Sequence, residues 1–304
     1  MSDSTLKIGM IGLDTSHVTA FTEMLHNIDH PYHVPGGRIV TAFPGGSPDF
    51  ELSRSRVQGF TEDLSGTYGV EMKDTIEEVA AVSDAILLES VDGRVHREQF
   101  MKVAPYGKPV FIDKPFAISL ADAETIAAAA KQYQVPLMSC SALRYAEGLT
   151  ADLENSGKES IMGMDCYGPM ALEPTQPGLF WYGIHTAEML FAAMGSGCVQ
   201  VSAVTNEHHD LIVGVWKDGR IGTIRGNRKG NSQFGAVIHR MDSSSFIDVY
   251  AQKKPYYASL LEHIMAMFRS GKSPIVLEET LEIIRFIEAA NISRSSGRTI
   301  RLSA

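Results

Sequence analysis

The chain has 304 residues, 44% of them hydrophobic and 21% charged, with 27 Gly and 13 Pro. These proportions exclude a disordered or low-complexity chain, and the length suits two domains, each able to bury a core. A formal net charge of -9 without any run of Lys or Arg excludes an electrostatic footprint for nucleic acid, so small molecules are the expected partners. The polar start Met1-Ser2-Asp3-Ser4-Thr5 leads straight into an apolar strand, and no apolar run reaches membrane-spanning length. A cytoplasmic protein with no signal peptide is expected. Cys140, Cys166 and Cys198 show no zinc or disulfide spacing and are read as buried thiols, and no metal site is expected.

Leu6 to Gly12 (LKIGMIG) is an apolar run of strand length, and Val18 to Ile28 then carries Phe21, Leu25 and Ile28 at helical spacing. Arg38 to Phe43, Asp84 to Leu88, Pro109 to Ile112 and Val135 to Ser139 are further strands with helices between them. Capping-box spacing starts two of those helices, from Asp74 to Glu77 and from Ser119 to Asp122. Continuous apolar strands alternating with helices predict a parallel sheet covered on both faces, a Rossmann-type domain over residues 1–141.

After a helix near Ile184 to Met194 the pattern changes. Val199 to Thr205, Leu211 to Trp216, Arg220 to Arg225, Ala236 to His239 and Phe246 to Tyr250 leave little room for helices and predict an antiparallel meander. Lys217-Asp218-Gly219-Arg220 predicts a type I′ hairpin turn. Helices from about Tyr256 to Arg269 and Glu278 to Ser293 close the chain. Residues 142–304 are therefore expected to form an α+β domain with an open, mainly antiparallel sheet. Helices on one side of it would leave an apolar outer face, to which Val201, Ile212, Val215, Ile221 and Ile224 are assigned, and a homo-oligomer built on that face is expected.

The first strand-to-helix turn is Gly12-Leu13-Asp14-Thr15-Ser16-His17. A G-x-G-x-x-G phosphate turn would put glycines where Asp14 and His17 stand, so only the first is kept. Asp14, Thr15 and Ser16 are suited either to capping the helix or to holding a dinucleotide, and His17 either to a helix terminus or to a phosphate. Asp14→Gly is expected to strengthen dinucleotide binding by removing charge from beside a pyrophosphate. After the second strand no carboxylate is placed for an adenine ribose, and Arg54 and Arg56 suit a 2′-phosphate or a solvated helix face, so NAD and NADP both stay open.

Phe111-Ile112-Asp113-Lys114-Pro115 puts an ammonium at the carboxyl end of a buried strand, where open α/β sheets bind ligands. On a later helix, Gly183-Ile184-His185-Thr186-Ala187-Glu188 places His185 and Glu188 on one face. Adjacent His208 and His209 are read as a solvated turn.

With an N-terminal Rossmann half, Asp113-Lys114-Pro115 and the helical Gly-x-His together, the chain resembles the glucose-fructose oxidoreductase, inositol dehydrogenase and rhizopine-catabolism (Gfo/Idh/MocA) family over nearly its whole length. The resemblance implies that Lys114, from the family's Glu-Lys-Pro, sits beside nicotinamide and substrate, with Asp113 standing for the glutamate. It implies that Val91-Asp92-Gly93-Arg94-Val95-His96 is the loop after the fourth strand, with Asp92 near the cofactor and His96 positioning it. It implies that Arg144 lies close to the active cleft and that His185 and Glu188 come from the pattern Asp-x-Gly-x-His-x-x-Asp. Trp181 departs from that pattern at its first aspartate.

The expected function is NAD- or NADP-dependent hydride transfer on a sugar, polyol or related hydroxy compound. Lys114 would polarise the oxygen and His185 exchange the proton, with Arg94, Arg144, Trp181, Tyr182 and Glu188 contacting substrate. The alternatives are an NAD-assisted glycoside hydrolase or lyase and a non-catalytic ligand-binding regulator.

Overall fold

The computed structural model describes residues 5–302, so the polar start Met1 to Ser4 lies outside the described residues. The chain divides into two compact units. The first holds residues up to Ala117, Ala121–Cys140 and Tyr257–Leu277. Its strands are β1 (Leu6–Ile11), β2 (Gly37–Phe43), β3 (Glu71–Met72), β4 (Ala85–Leu88), β5 (Val110–Ile112) and β6 (Leu137–Ser139). Helices α1 (His17–His26), α2 (Glu51–Tyr68), α3 (Ile76–Val82), α4 (His96–Val103) and α5 (Leu120–Gln132) alternate with them.

The sheet is wholly parallel in the order β3-β2-β1-β4-β5-β6, the Rossmann order. Every residue of β4 and β5 is buried, which is why both are short unbroken apolar runs with no polar alternation. Strand order reverses between β1 and β4, and ligands of such sheets bind at the carboxyl ends around that point. The predicted capping box is one residue out of place: Thr75, not Asp74, caps α3, exchanging hydrogen bonds with Glu78.

The second unit, mainly Ser141–Tyr256 and Glu278 onward, contains α6 (Glu147–Ser156), β7 (Ile161–Pro169), α7 (Gly183–Met194), β8 (Cys198–Thr205), β9 (His209–Trp216), β10 (Ile221–Asn227), β11 (Gly235–Arg240) and β12 (Ser244–Asp248). After α8 (Tyr256–Ser270), the chain ends in α9 (Leu277–Ser296) and β13 (Ile300–Arg301). Most of α8 belongs to the first unit: Met265 lies against Gly37 of β2 and the Arg269 guanidinium donates to the Pro35 carbonyl. The first unit is therefore not one unbroken segment, as a boundary at residue 141 would have it, because α8 finds its apolar partner at β2.

The second sheet runs β12-β11-β7-β10-β9-β8-β13 and is antiparallel except where β7 pairs with β10. The expected meander is thus interrupted: β7, whose sequence IMGMDCYGP mixes Gly, Pro and charge and gives a weak strand signal, separates β10 from β11. The β9–β10 hairpin forms, but Asp218 keeps a negative φ while Gly219 sits at +88°, and the Gly219 N–H donates to the Trp216 carbonyl. That is a type I turn closed by a left-handed glycine, not a type I′ turn.

α7 is almost entirely buried, and glycines let the helices approach the sheet: a Cβ on Gly222 would meet Leu190 of α7, and one on Gly214 would meet Phe286 of α9. Register puts Val201, Ile212 and Ile224 on this covered face, at 1% exposure or less, correcting their assignment to the outer one. Val215 and Ile221, paired across β9 and β10, do lie on the outer face, which also shows Val204, Leu211 and Phe246, with Val204 opposite Leu211. All three cysteines are free and buried, as expected. Among the described residues no helix is long and apolar enough to cross a membrane.

Candidate functional site

β1 delivers the chain into a turn at Gly12, whose φ is +84°. A Cβ there would stand 2.5 Å from Ser90 Cα, so the residue is glycine for both conformation and space. Asp14 does not face outward from this turn. It is 1% exposed, accepting from Ser53 Oγ at 2.6 Å and from the Val91 N–H at 2.8 Å, so one carboxylate ties the turn to α2 and to the loop after β4. Burial raises its pKa against those two hydrogen bonds. Neither of the roles considered for it, cap or pyrophosphate neighbour, matches this geometry. Thr15 is buried, and Ser16 stands exposed at the N-cap of α1 with no side-chain cap bond.

A second buried anion repeats the device. Asp92 accepts from Ser47 Oγ at 2.7 Å and from the Arg94 backbone and guanidinium, and the same guanidinium grips Asp49 with two bonds of 2.8 Å. Arg94 is thereby committed to two carboxylates, which corrects its assignment to substrate. His96 begins α4 as expected, fully buried, with Nδ1 on the Pro115 carbonyl and Nε2 on that of Ser90. It links the loop after β4 to the segment after β5.

His17 turns inward as the first residue of α1. Its Nδ1 lies 3.0 Å from Asp113 Oδ2 and 3.7 Å from Glu89 Oε2, without hydrogen-bond alignment. Its ring stacks on Phe21 and packs against Tyr257. Burial opposes charge on this imidazole, but Asp113 and Glu89 outweigh it and hold the pKa up at about 9. Burial pushes Glu89 up to about 7, with Asp113 adding to the rise, whereas His17 and Lys114 hold Asp113 down against burial. Of the two roles considered for His17, the helix terminus is the one seen, and its Nδ1 faces two carboxylates. Glu89 was missed, although an acid immediately after four buried apolar residues at a strand's carboxyl end is a visible signal.

Lys114 follows β5, half-buried, in a cis peptide with Pro115; burial lowers its pKa and Asp113 opposes that. In the second unit His185 is in the first turn of α7, its Nδ1 2.7 Å from Ser141 Oγ. That oxygen already accepts from the Leu143 N–H, so its proton is available to Nδ1, assigning the ring's own proton to Nε2. Tyr182 and Phe234 flank the ring edge-on, and Trp181 adjoins Tyr182. Arg144 pairs with Glu188 at 3.1 Å and also with Glu279, so both Arg144 and Glu188 are spent on an internal ion pair. Burial pushes Glu188 up to about 7 despite Arg144.

Within the first unit a cleft of about 340 Å³ opens at the carboxyl end of β2. Its walls come from Phe43, Gly45 and Gly46 after β2, from Asp74 to Glu77 at the start of α3, and from Val95, Glu98 and Lys102 of the α4 region. In a Rossmann sheet this is the place of the adenosine half of a dinucleotide. The cleft presents Asp74, Glu77 and Glu98 against Lys102, which is itself 3.0 Å from Glu98.

The fold and this edge define a dinucleotide-type domain joined to an open-sheet domain, and comparison with known proteins agrees. Residues 51–140, which begin after the altered turn, match the family model described as the oxidoreductase family with NAD-binding Rossmann fold. Among solved structures, GenD2 from gentamicin A biosynthesis in complex with NAD is 16% identical over 99% of this chain and 97% of its own, with a TM-score of 0.80. A probable dehydrogenase from Thermotoga maritima is 20% identical over 97% and 98%, at 0.78. Scyllo-inositol dehydrogenase from Lactobacillus casei, with NAD(H) and scyllo-inositol, is 16% identical over 98% and 99%, at 0.78. No curated protein matches the sequence. The matched segment contains Asp113-Lys114-Pro115, and the fold over nearly the whole chain is the one shared by these dehydrogenases.

Proposed function

We propose that the protein is an NAD-dependent oxidoreductase that transfers hydride to or from a sugar, polyol or related hydroxy compound. The observation that carries this reading is the cleft beside β2 in a sheet of order β3-β2-β1-β4-β5-β6, with Gly12 keeping the turn that a dinucleotide approaches. The complexes of GenD2 with NAD and of scyllo-inositol dehydrogenase with NAD(H) and scyllo-inositol support the cofactor and the substrate class.

Bound nicotinamide supplies the hydride carrier. The N-terminus of α1 and the exposed Ser16 receive the pyrophosphate, and Asp74 or Glu77 accepts from the adenine ribose. Three acids against one lysine disfavour a 2′-phosphate, so NAD is preferred over NADP. Lys114 donates to the substrate oxygen, and His185, oriented by Ser141, exchanges the hydroxyl proton through Nε2. Ser141 supplies the second partner for the ring that Trp181 cannot. Trp181 and Tyr182 are proposed substrate contacts.

Incubation with NAD and a panel of polyols and aldoses, followed by nicotinamide absorbance, tests the reaction. Net cofactor reduction is expected. Product release without net reduction would instead select an NAD-assisted hydrolase or lyase, and ligand binding without turnover a regulator.

We also propose that the outer face of the second sheet joins copies of the chain, because Val204, Leu211, Ile221 and Phe246 expose apolar surface among polar neighbours. Sedimentation is expected to show a dimer or larger at micromolar concentration, dissociated by Ile221→Lys with Phe246→Lys. A wild-type monomer would contradict this.

A further inference from the structure

We propose that His17, Glu89 and Asp113 form a buried site for a divalent transition-metal ion. Each residue offers one ligand atom, all within 4.8 Å of one another, and each residue is more than nine-tenths buried. No hydrogen-bond partner meets His17 Nδ1, either oxygen of Glu89 or either oxygen of Asp113 among the described residues. Buried polar atoms are hydrogen-bonded as a rule, and leaving one unmet costs roughly 1–3 kcal/mol, so three buried side chains that face one another as charges without an aligned hydrogen bond call for an occupant.

The spacing says which kind. Two donors each about 2.0–2.2 Å from one ion stand roughly 3.0–4.2 Å apart, and His17 Nδ1 is 3.0 Å from Asp113 Oδ2 and 3.7 Å from Glu89 Oε2. Charge agrees once the ion displaces the proton that Asp113 and Glu89 hold on His17: two carboxylates and a neutral imidazole then leave two negative charges, which a divalent ion cancels. One nitrogen and a few carboxylate oxygens suit zinc, manganese or ferrous iron, and are too few and too mixed for calcium, which takes six to eight oxygens.

The three donors come from three separate elements of the first unit: the first residue of α1, the residue after β4 and the residue after β5. Sequence spacing therefore carries no metal motif, and none was expected. His17 occupies the place of the third glycine of a phosphate turn, where a bare backbone would let helix and strand close up. Here that room is taken by an imidazole facing the two acids.

The test contains no dinucleotide, so its outcome does not depend on cofactor binding. Protein purified without chelators is expected to carry close to one equivalent of zinc, manganese or iron by elemental mass spectrometry. Chelator-stripped protein titrated with Zn(II), Mn(II) or Co(II) alone is expected to bind one ion saturably, with a rise in Tm. Glu89→Gln and Asp113→Asn, near-isosteric changes, should each weaken binding by more than about tenfold. Wild-type protein that retains no metal and shows neither saturable binding nor a Tm rise up to millimolar Zn(II), Mn(II) or Co(II) would overturn the proposal. So would binding unchanged in folded Glu89→Gln and Asp113→Asn, which would place the ion elsewhere. If both variants fail to fold, the cobalt absorption spectrum of the wild type decides: nitrogen and oxygen ligation supports the site, and a purely aqueous spectrum rejects it.

Discussion

Lys114→Ala and His185→Ala are each expected to lower turnover on the best polyol substrate by about 10²- to 10⁴-fold, the usual contribution of a positioned proton-transferring or polarising group. Dinucleotide affinity should stay within about threefold, because neither Lys114 nor His185 is among the residues that line the proposed adenosine cleft. For His185 the expectation rests on a fixed ring: Ser141 Oγ holds Nδ1 at 2.7 Å while Tyr182 and Phe234 flank it. Ser141→Ala should therefore reduce turnover less than His185→Ala, through orientation alone. Steady-state rates paired with cofactor titrations check all three variants. Near-normal turnover in His185→Ala would pass the proton to Tyr182, since Glu188 is 3% exposed and paired with Arg144.

Asp14→Gly is expected to destabilise the first unit and to weaken dinucleotide binding, the reverse of what the sequence alone suggests. The substitution strips the acceptor from Ser53 Oγ and from the Val91 N–H, both buried bonds. An orphaned buried donor costs roughly 1–3 kcal/mol, and glycine adds freedom to the unfolded chain. Part of that loss is offset because the carboxylate is itself buried at a cost, which is why its pKa is raised. A net loss of about 2 kcal/mol, or roughly 4–8 °C in Tm, is expected. Differential scanning calorimetry with an NAD titration decides it. Unchanged Tm with tighter binding would mean that the carboxylate faces the ligand after all.

Asp14 also shows where sequence reading stops. Five of the six strands of the first unit were legible because buried parallel strands are unbroken apolar runs, whereas the two-residue β3, neither apolar throughout nor buried, was not. Gly12 was legible because a tight turn after β1 admits little else. The partners of Asp14 were not: Ser53 is 39 residues away and Val91 is 77. Nor were those of Arg94, whose guanidinium looked available for an anion until Asp49, 45 residues back, closed on it. The same holds for Arg144 with Glu188 and Glu279. A charge can be counted in a sequence, but whether it is already neutralised depends on chain crossings that the pattern does not encode. β7 failed for a different reason, since its glycines and proline lower strand propensity while its place between β10 and β11 is fixed by tertiary pairing. Glu89 was recoverable: an acid that ends a fully buried strand either has a partner or a ligand.

The central claim is that this altered Rossmann turn still binds NAD, and direct titration of cofactor-stripped protein tests it. Calorimetry, or quenching of NADH fluorescence, is expected to show saturable one-site binding of NAD(H) that is at least about tenfold tighter than NADP(H), given three acids against one lysine in the cleft. Binding of neither cofactor, oxidised or reduced, at millimolar concentration would contradict the account.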